Sequence, residues 1–182
     1  MESKWNRAYE LTLVLRSQNG DEHAFEELLR LHSAGLRCYV TQMLRDLSAS
    51  SDDVLQEVWL SVHRSLPKLR DPAAFPAWLY EIARARIHRE FRRRHIELQP
   101  TNDVPEQEAV ADSADEAFDP GQVHAAMSRL SPEHREVLVL RFLRDLTYEE
   151  IAHVTNQSLG TVRSRLHYAK RAMQRVLKQE IP

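Results

Sequence analysis

One cysteine, four glycines and an aromatic content of 7% set the first limits on this chain of 182 residues. Cys38 has no second cysteine to pair with, so an internal disulfide is excluded. Four glycines leave no Gly-rich phosphate loop and too few turn residues for a many-turned β-sandwich. No apolar run approaches the roughly 20 residues that cross a bilayer. The opening MESKWNRAYELTLVLRS has neither the basic start nor the apolar stretch of a signal peptide, so a cytoplasmic protein with no membrane insertion is expected. The nine histidines show no H-E-x-x-H spacing and are expected at surface or helix-flank positions; no metal and no cofactor is expected. Neither a G-x-S-x-G elbow nor a distinguished carboxylate pair occurs, and the chain is not expected to be an enzyme.

What is present is charge, and it is segregated. The formal net charge of -2 conceals an acidic strip over 97–119, with eight acids and no Lys or Arg. The rest of the chain is basic. Arg84 to His95 holds six arginines and one glutamate, and Thr161 to Lys178 holds four Arg, two Lys and no acid. Arginine outnumbers lysine 21 to 4, a bias suited to bidentate grips on phosphates or base edges that GC-rich codon usage produces equally well. Pro100, Pro105 and the lack of any apolar period make the strip a flexible linker, whose 23 residues reach about 75–80 Å when stretched. Two tethered bodies are therefore expected, with a first domain over 1–96, the linker over 97–119 and a second domain over 120–182.

Both domains read as all-α. Before the strip, Phe25, Leu28, Leu29 and His32 recur at helical spacing, as do Leu55, Val58, Trp59, Val62 and Leu66, and then Phe75, Trp78, Leu79 and Ile82. That half is a helical bundle. After the strip, Asp119-Pro120 starts a helix to Leu130, and Ser131-Pro132 starts another to about Leu143. Thr147 and Glu150 form a T-x-x-E capping box, Asn156 suits a left-handed turn, and Ser158 caps a last helix. Its apolar stripe is Val162, Leu166, Ala169, Met173 and Val176, so a helix-turn-helix is predicted. The opposite side carries Ser164, His167, Tyr168, Arg171 and Arg175, groups that fit major-groove recognition, and the amides near Ser158 and Thr161 favour a phosphate. A solvated polar face is the ordinary alternative.

These residues resemble the extracytoplasmic-function subfamily of bacterial sigma factors. The resemblance covers about 21–94 and 122–178. It rests on AFEELL, DVLQEVWLSVHRSL and AWLYEIARARIHREFRRR in the first half, and on LSPEHREVLVLRFLRDLTYEEIA and GTVRSRLHYAKRAM in the second. It implies a sigma-two-like bundle that docks on core RNA polymerase and melts the minus-ten element. It also implies a sigma-four-like domain that reads the minus-thirty-five element of promoter DNA. An anti-sigma factor is an expected partner by the same resemblance.

The family's D-x-x-Q-E motif falls on Asp53, Gln56 and Glu57, which share one helix side and are assigned by resemblance to polymerase contact. From spacing alone they are a solvated face. For the minus-ten element the resemblance points to Arg70 and Asp71 in the loop Leu69 to Pro72 and to the helix from Ala77 to Arg94, on which Arg84, His88 and Arg92 are the candidates for strand contact. Phe75 and Trp78 lie on the apolar stripe with Ile82 and read as core, not stacking platforms. For the minus-thirty-five element the candidates are Ser158, Thr161, Arg163, Ser164, His167, Tyr168, Arg171 and Arg175.

The chain departs from the family at four places. Ala85 and Arg89 stand where polar Asn and Asp or Asn are usual, Thr155-Asn156-Gln157 replaces Leu-Gly-Ile in the turn, and Tyr168 stands where a basic residue is common. If the turn positions are buried, the lost apolar contacts loosen the helix-turn-helix core by a few kcal/mol. Two rivals stay open: a free helix-turn-helix regulator acting on duplex operators, and a sigma-like decoy that binds only an anti-sigma factor. Six basic residues on the last helix argue against the decoy.

Overall fold

The computed structural model describes residues 2–45, 50–93 and 126–179, with no strand among them. The linker and the Asp119-Pro120 cap lie outside the described residues. The first unit comprises α1 (Glu2–Gln18), α2 (Glu22–Leu44), α3 (Ser51–Ser65), two 3-10 turns (Leu66–Lys68 and Pro72–Ala74) and α4 (Phe75–Arg93). The second comprises α5 (Pro132–Leu138), a π-helical segment (Val139–Leu143), α6 (Tyr148–Thr155) and α7 (Leu159–Gln179).

Local chemistry starts and stops these helices. Gly20, at φ 86, turns the chain between α1 and α2, and Asp21 caps α2 by accepting from the Ala24 amide at 3.1 Å. Ser50 caps α3, and its first turn then carries Asp52 and Asp53, which suits the positive end of the helix dipole. Gln18 reaches from α1 to donate to the carbonyls of Leu66 at 3.0 Å and Leu69 at 2.8 Å, which fixes the loop ahead of α4.

The expected stripes form the core of the first unit. Leu28, Val58, Val62, Phe75 and Leu79 are fully buried, and Tyr39 with Val14 closes the interior from α2 and α1. Phe75 rests against His32 and Trp78, with ring centroids 5.4 and 6.0 Å away. It cannot face a base without unpacking the bundle. Phe75→Ala is expected to cost about 3–5 kcal/mol in chemical denaturation; unaltered stability with lost DNA binding would show a stacking role instead.

In the second unit the capping box is complete, with the Glu150 amide donating to Thr147 Oγ1 at 3.1 Å and the Thr147 amide to the Glu150 carboxylate at 2.6 Å. Asn156 adopts φ 53 and ψ 48, the left-handed conformation its position calls for. Val162, Leu166 and Ala169 are buried against α5 and α6, and Leu177, which the expected stripe omitted, joins them in burial.

Three expectations need correction. The helix begun at Ser131 is α-helical only to Leu138; the π turn that follows keeps Val139 and Leu140 inside but leaves Phe142 and Leu143 exposed. The replaced turn does not open the core. Of Thr155, Asn156 and Gln157 only Thr155 is buried, and its hydroxyl donates to the Ile151 carbonyl at 2.7 Å. His32 is not a surface histidine: it sits between α1, α2 and α4, where burial and the nearby Arg144 cation push its pKa down to about 4. The two units also touch. Helix α6 lies across α4, α5 meets α2, and one apolar cluster runs through both units.

The partner of His32 is Glu10, at 3.6 Å, whose pKa burial pushes up to about 7. The signs oppose. A lowered histidine pKa removes stability as pH falls from 6.5 towards 4, while a raised carboxyl pKa removes it as pH rises from 4.5 towards 7. Near pH 5.5 the folded pair holds one proton on Glu10 and the unfolded pair one on His32, so the slopes cancel. Glu10→Gln should expose the histidine half: stability measured by urea melts falls as pH drops from 6.5 to 4, more steeply than in the parent. Parallel pH profiles for the two proteins would contradict this pairing.

Candidate nucleic-acid and polymerase interface

Helix α7 is held so that one side is anchored and the other faces out. Burial of Val162, Leu166 and Ala169 fixes its rotation, which leaves Arg163, Ser164, Arg171 and Arg175 exposed and Thr161, His167 and Tyr168 half-buried. Ser158 accepts from the Thr161 amide at 3.1 Å and lies 2.8 Å from the Thr161 hydroxyl, so these two residues form the helix start. Ser164 donates to the Thr161 carbonyl at 3.0 Å. Among the described residues no acid forms an ion pair with Arg163, Arg171 or Arg175. Their guanidinium groups are therefore available for an anionic ligand. All eight residues expected for duplex recognition lie on or at the start of this one helix.

On α3, Asp53, Gln56 and Glu57 are brought together on the exposed side, while Val54, Leu55, Val58 and Val62 turn inward. Leu60, 46% exposed, extends the same patch with an apolar side chain that spacing alone did not single out. Glu57 pairs with Arg86 of α4 at 3.0 Å. Beside that pair, a groove of about 320 Å³ runs between α3 and α4, lined by Ser61, Arg64, Arg86, Arg89, Glu90 and Arg93. The groove was missed because its arginines come from two helices; the signal available was the spacing of 86, 89 and 93 on one side of α4.

The residues expected at a melted strand are divided by the structure. Arg70 and Arg92 are exposed. Asp71 is exposed as well, but its carboxylate accepts from the Ala73 amide at 3.0 Å and so holds the Pro72–Ala74 turn. Arg84 and His88 face the second unit. The Arg84 Nε donates to Glu136 of α5 at 3.0 Å, and partial burial lowers the His88 pKa, reinforced by the Arg84 cation.

A helical unit with an acidic exposed patch is joined in one chain to a helix-turn-helix whose last helix presents Arg163, Arg171 and Arg175 without an ion pair to any described acid, the arrangement expected of a DNA-binding transcription protein. Residues 25–96 match the family model for Sigma-70 region 2, and residues 126–175 match that for Sigma-70, region 4. The chain is 31% identical to the RNA polymerase sigma-H factor of Pseudomonas aeruginosa, over 91% of this chain and 92% of that protein. It is 30% identical to the ECF RNA polymerase sigma-E factor of Escherichia coli, over 88% of this chain and 90% of that one. The chain belongs to the extracytoplasmic-function sigma factors of RNA polymerase.

Two solved structures share the fold. CnrH in complex with the cytosolic domain of CnrY superposes with a TM-score of 0.67 at 20% identity, covering 94% of this chain and 99% of that one. The sigma factor RpoE of Bartonella quintana, in complex with the anti-sigma factor NepR, gives 0.65 at 23% identity, covering 86% and 98%.

Proposed function

We propose that this sigma factor divides its work among three surfaces. The α3 patch of Asp53, Gln56 and Glu57 docks on core RNA polymerase. The loop carrying Arg70 and Asp71, with Arg84, His88 and Arg92 of α4, engages the minus-ten element. The exposed side of α7 reads the minus-thirty-five element in the major groove. Polymerase supplies the chemistry and this chain supplies the choice of promoter, acting in the cytoplasm. An anti-sigma factor is the fitting regulator, since the solved relatives were each captured with such a partner or with the cytosolic domain of another protein.

The observation that carries this reading is the anchoring of α7, whose buried stripe aims Arg163, Arg171 and Arg175 outward with no acid to neutralise them among the described residues. Two duplex turns span about 70 Å, near the full reach of the linker, so polymerase must hold the two units apart for both elements to be read. Transcription in vitro with purified core polymerase on genomic fragments tests the reading and yields the promoter. Initiation at a discrete set of sites is expected; none above core polymerase alone would refute it.

A further inference from the structure

The groove between α3 and α4 gathers more positive charge than the fold requires. Its charged lining is four arginines against two glutamates, a surplus of two positive charges around about 320 Å³. The arginines come from both walls. Arg64 stands on α3, while Arg86, Arg89 and Arg93 recur at three- and four-residue spacing on one side of α4. Arg86 is fixed by α3, donating through Nη1 to the Glu57 carboxylate at 3.0 Å and through Nη2 to the Ser61 hydroxyl at 2.6 Å. Arg93 pairs with Glu90 at 3.1 Å. Arg64 and Arg89 are both exposed and form no ion pair with a described acid, so two guanidinium groups in one groove are left to an outside ligand. Like charges brought this close repel, and a bound anion removes that cost.

The lining selects the kind of anion. Guanidinium forks match phosphate oxygens in pairs. A single strand of nucleic acid is held by a run of cations with aromatic rings on which its bases stack, whereas this lining has no aromatic side chain and sets Glu57 and Glu90 among its cations. The volume lies at the small end of ligand sites, which suits a compact molecule. Arg64 and Arg89 stand on different helices, so two joined phosphates serve both where a single phosphate serves one. Arg89 is also a position at which this chain departs from the family pattern, so the full charge of the groove does not come with that pattern.

We propose that the groove between α3 and α4 is a binding site for a small diphosphate-bearing molecule, gripped by Arg64 and Arg89 and sharing Arg86, and that its occupation strengthens docking on core polymerase. The second half rests on the assignment of the α3 patch to polymerase; the site itself does not. A diphosphate at Arg86 draws the guanidinium from Glu57, whose carboxylate then returns to the patch unneutralised. Coupling of this kind is reciprocal, so bound polymerase raises the affinity for the diphosphate by the same factor.

The test is calorimetric titration of the full chain with inorganic pyrophosphate in low-salt, metal-free buffer, with orthophosphate and a single-stranded oligonucleotide as comparison ligands. Expected is one saturable site for pyrophosphate, about tenfold or more tighter than for orthophosphate. Arg64→Ala and Arg89→Ala should each weaken it about tenfold, the scale of a hydrogen bond to a charged group, while Lys68→Ala, which removes an exposed cation outside the groove, leaves it unchanged. Pyrophosphate that fails to saturate at millimolar concentration, or that weakens equally in Lys68→Ala, overturns the site. An oligonucleotide whose binding needs Arg64 and Arg89 when that of pyrophosphate does not also overturns it and marks the groove as a backbone contact. Coupling is read by titrating labelled protein with core polymerase, with and without pyrophosphate. A gain of about fivefold in the parent, abolished in Arg64→Ala with Arg89→Ala, is expected, and its absence overturns the coupling. If Asp53→Lys with Glu57→Lys leaves polymerase affinity intact while the parent binds pyrophosphate, the docking assignment falls and the site stands.

Discussion

Replacing Arg163 and Arg171 with alanine is expected to lower transcription from a cognate promoter by about ten- to a hundredfold for each side chain that grips a base edge, since a good bidentate contact is worth about 1–3 kcal/mol. Both side chains are exposed and make no ion pair with a described acid, so their removal neither opens the core nor strands a buried partner. Binding to core polymerase should be unchanged. The discriminating measurement is a pair of titrations, one of transcription and one of polymerase association, on the same preparation. Loss of polymerase binding in the double variant would remove α7 from the role of DNA reader. The contrast with Val162 or Leu166 matters here, because those residues are buried and their truncation reduces all activities together through the fold.

The reverse pattern is expected on α3. Asp53→Lys with Glu57→Lys turns an acidic patch basic, and against a complementary partner a like-charge juxtaposition costs several kcal/mol, enough to weaken polymerase binding on the order of a hundredfold. Neither side chain is buried, so the melting transition should move little. Two local terms do change: Asp53 leaves the first turn of α3, worth about 0.3–1 kcal/mol, and Arg86 loses its 3.0 Å ion pair with Glu57, an exposed contact of small value. Far-UV circular dichroism separates these effects from lost docking. Unaltered polymerase affinity in a folded double variant would remove the patch from the mechanism.

Much of the fold was written locally. The T-x-x-E box at Thr147, the cap at Ser158, the left-handed Asn156 and the stripes of α3, α4 and α7 each depend on residues within a few positions of one another, where spacing and side-chain chemistry suffice. The exposed faces of α3 and α7 were legible for the same reason: once the buried stripe is known, the opposite side follows.

What was not legible lies between segments distant in sequence. Glu136 meets Arg84 across 52 positions, and Gly35 meets Arg144 across the whole linker, so no periodicity records either contact. Arg84 and His88 lie opposite the apolar stripe of α4, yet that side is partly covered by the second unit. The π segment was invisible because its residues, Val139 to Leu143, are as apolar as an α-helical continuation; only the observed turn shows that Phe142 and Leu143 point outward. His32 illustrates the converse, since its place on an apolar stripe already told against a surface position.

The most direct measurement is a three-component one. Fluorescently labelled protein is titrated with core RNA polymerase in low-salt buffer, and then with a promoter fragment recovered from the genomic transcription experiment. Saturable association with core polymerase, followed by DNA binding that neither component achieves alone, is the predicted result. A chain that stays unbound at micromolar core polymerase, or that binds the duplex just as tightly without it, would contradict the account.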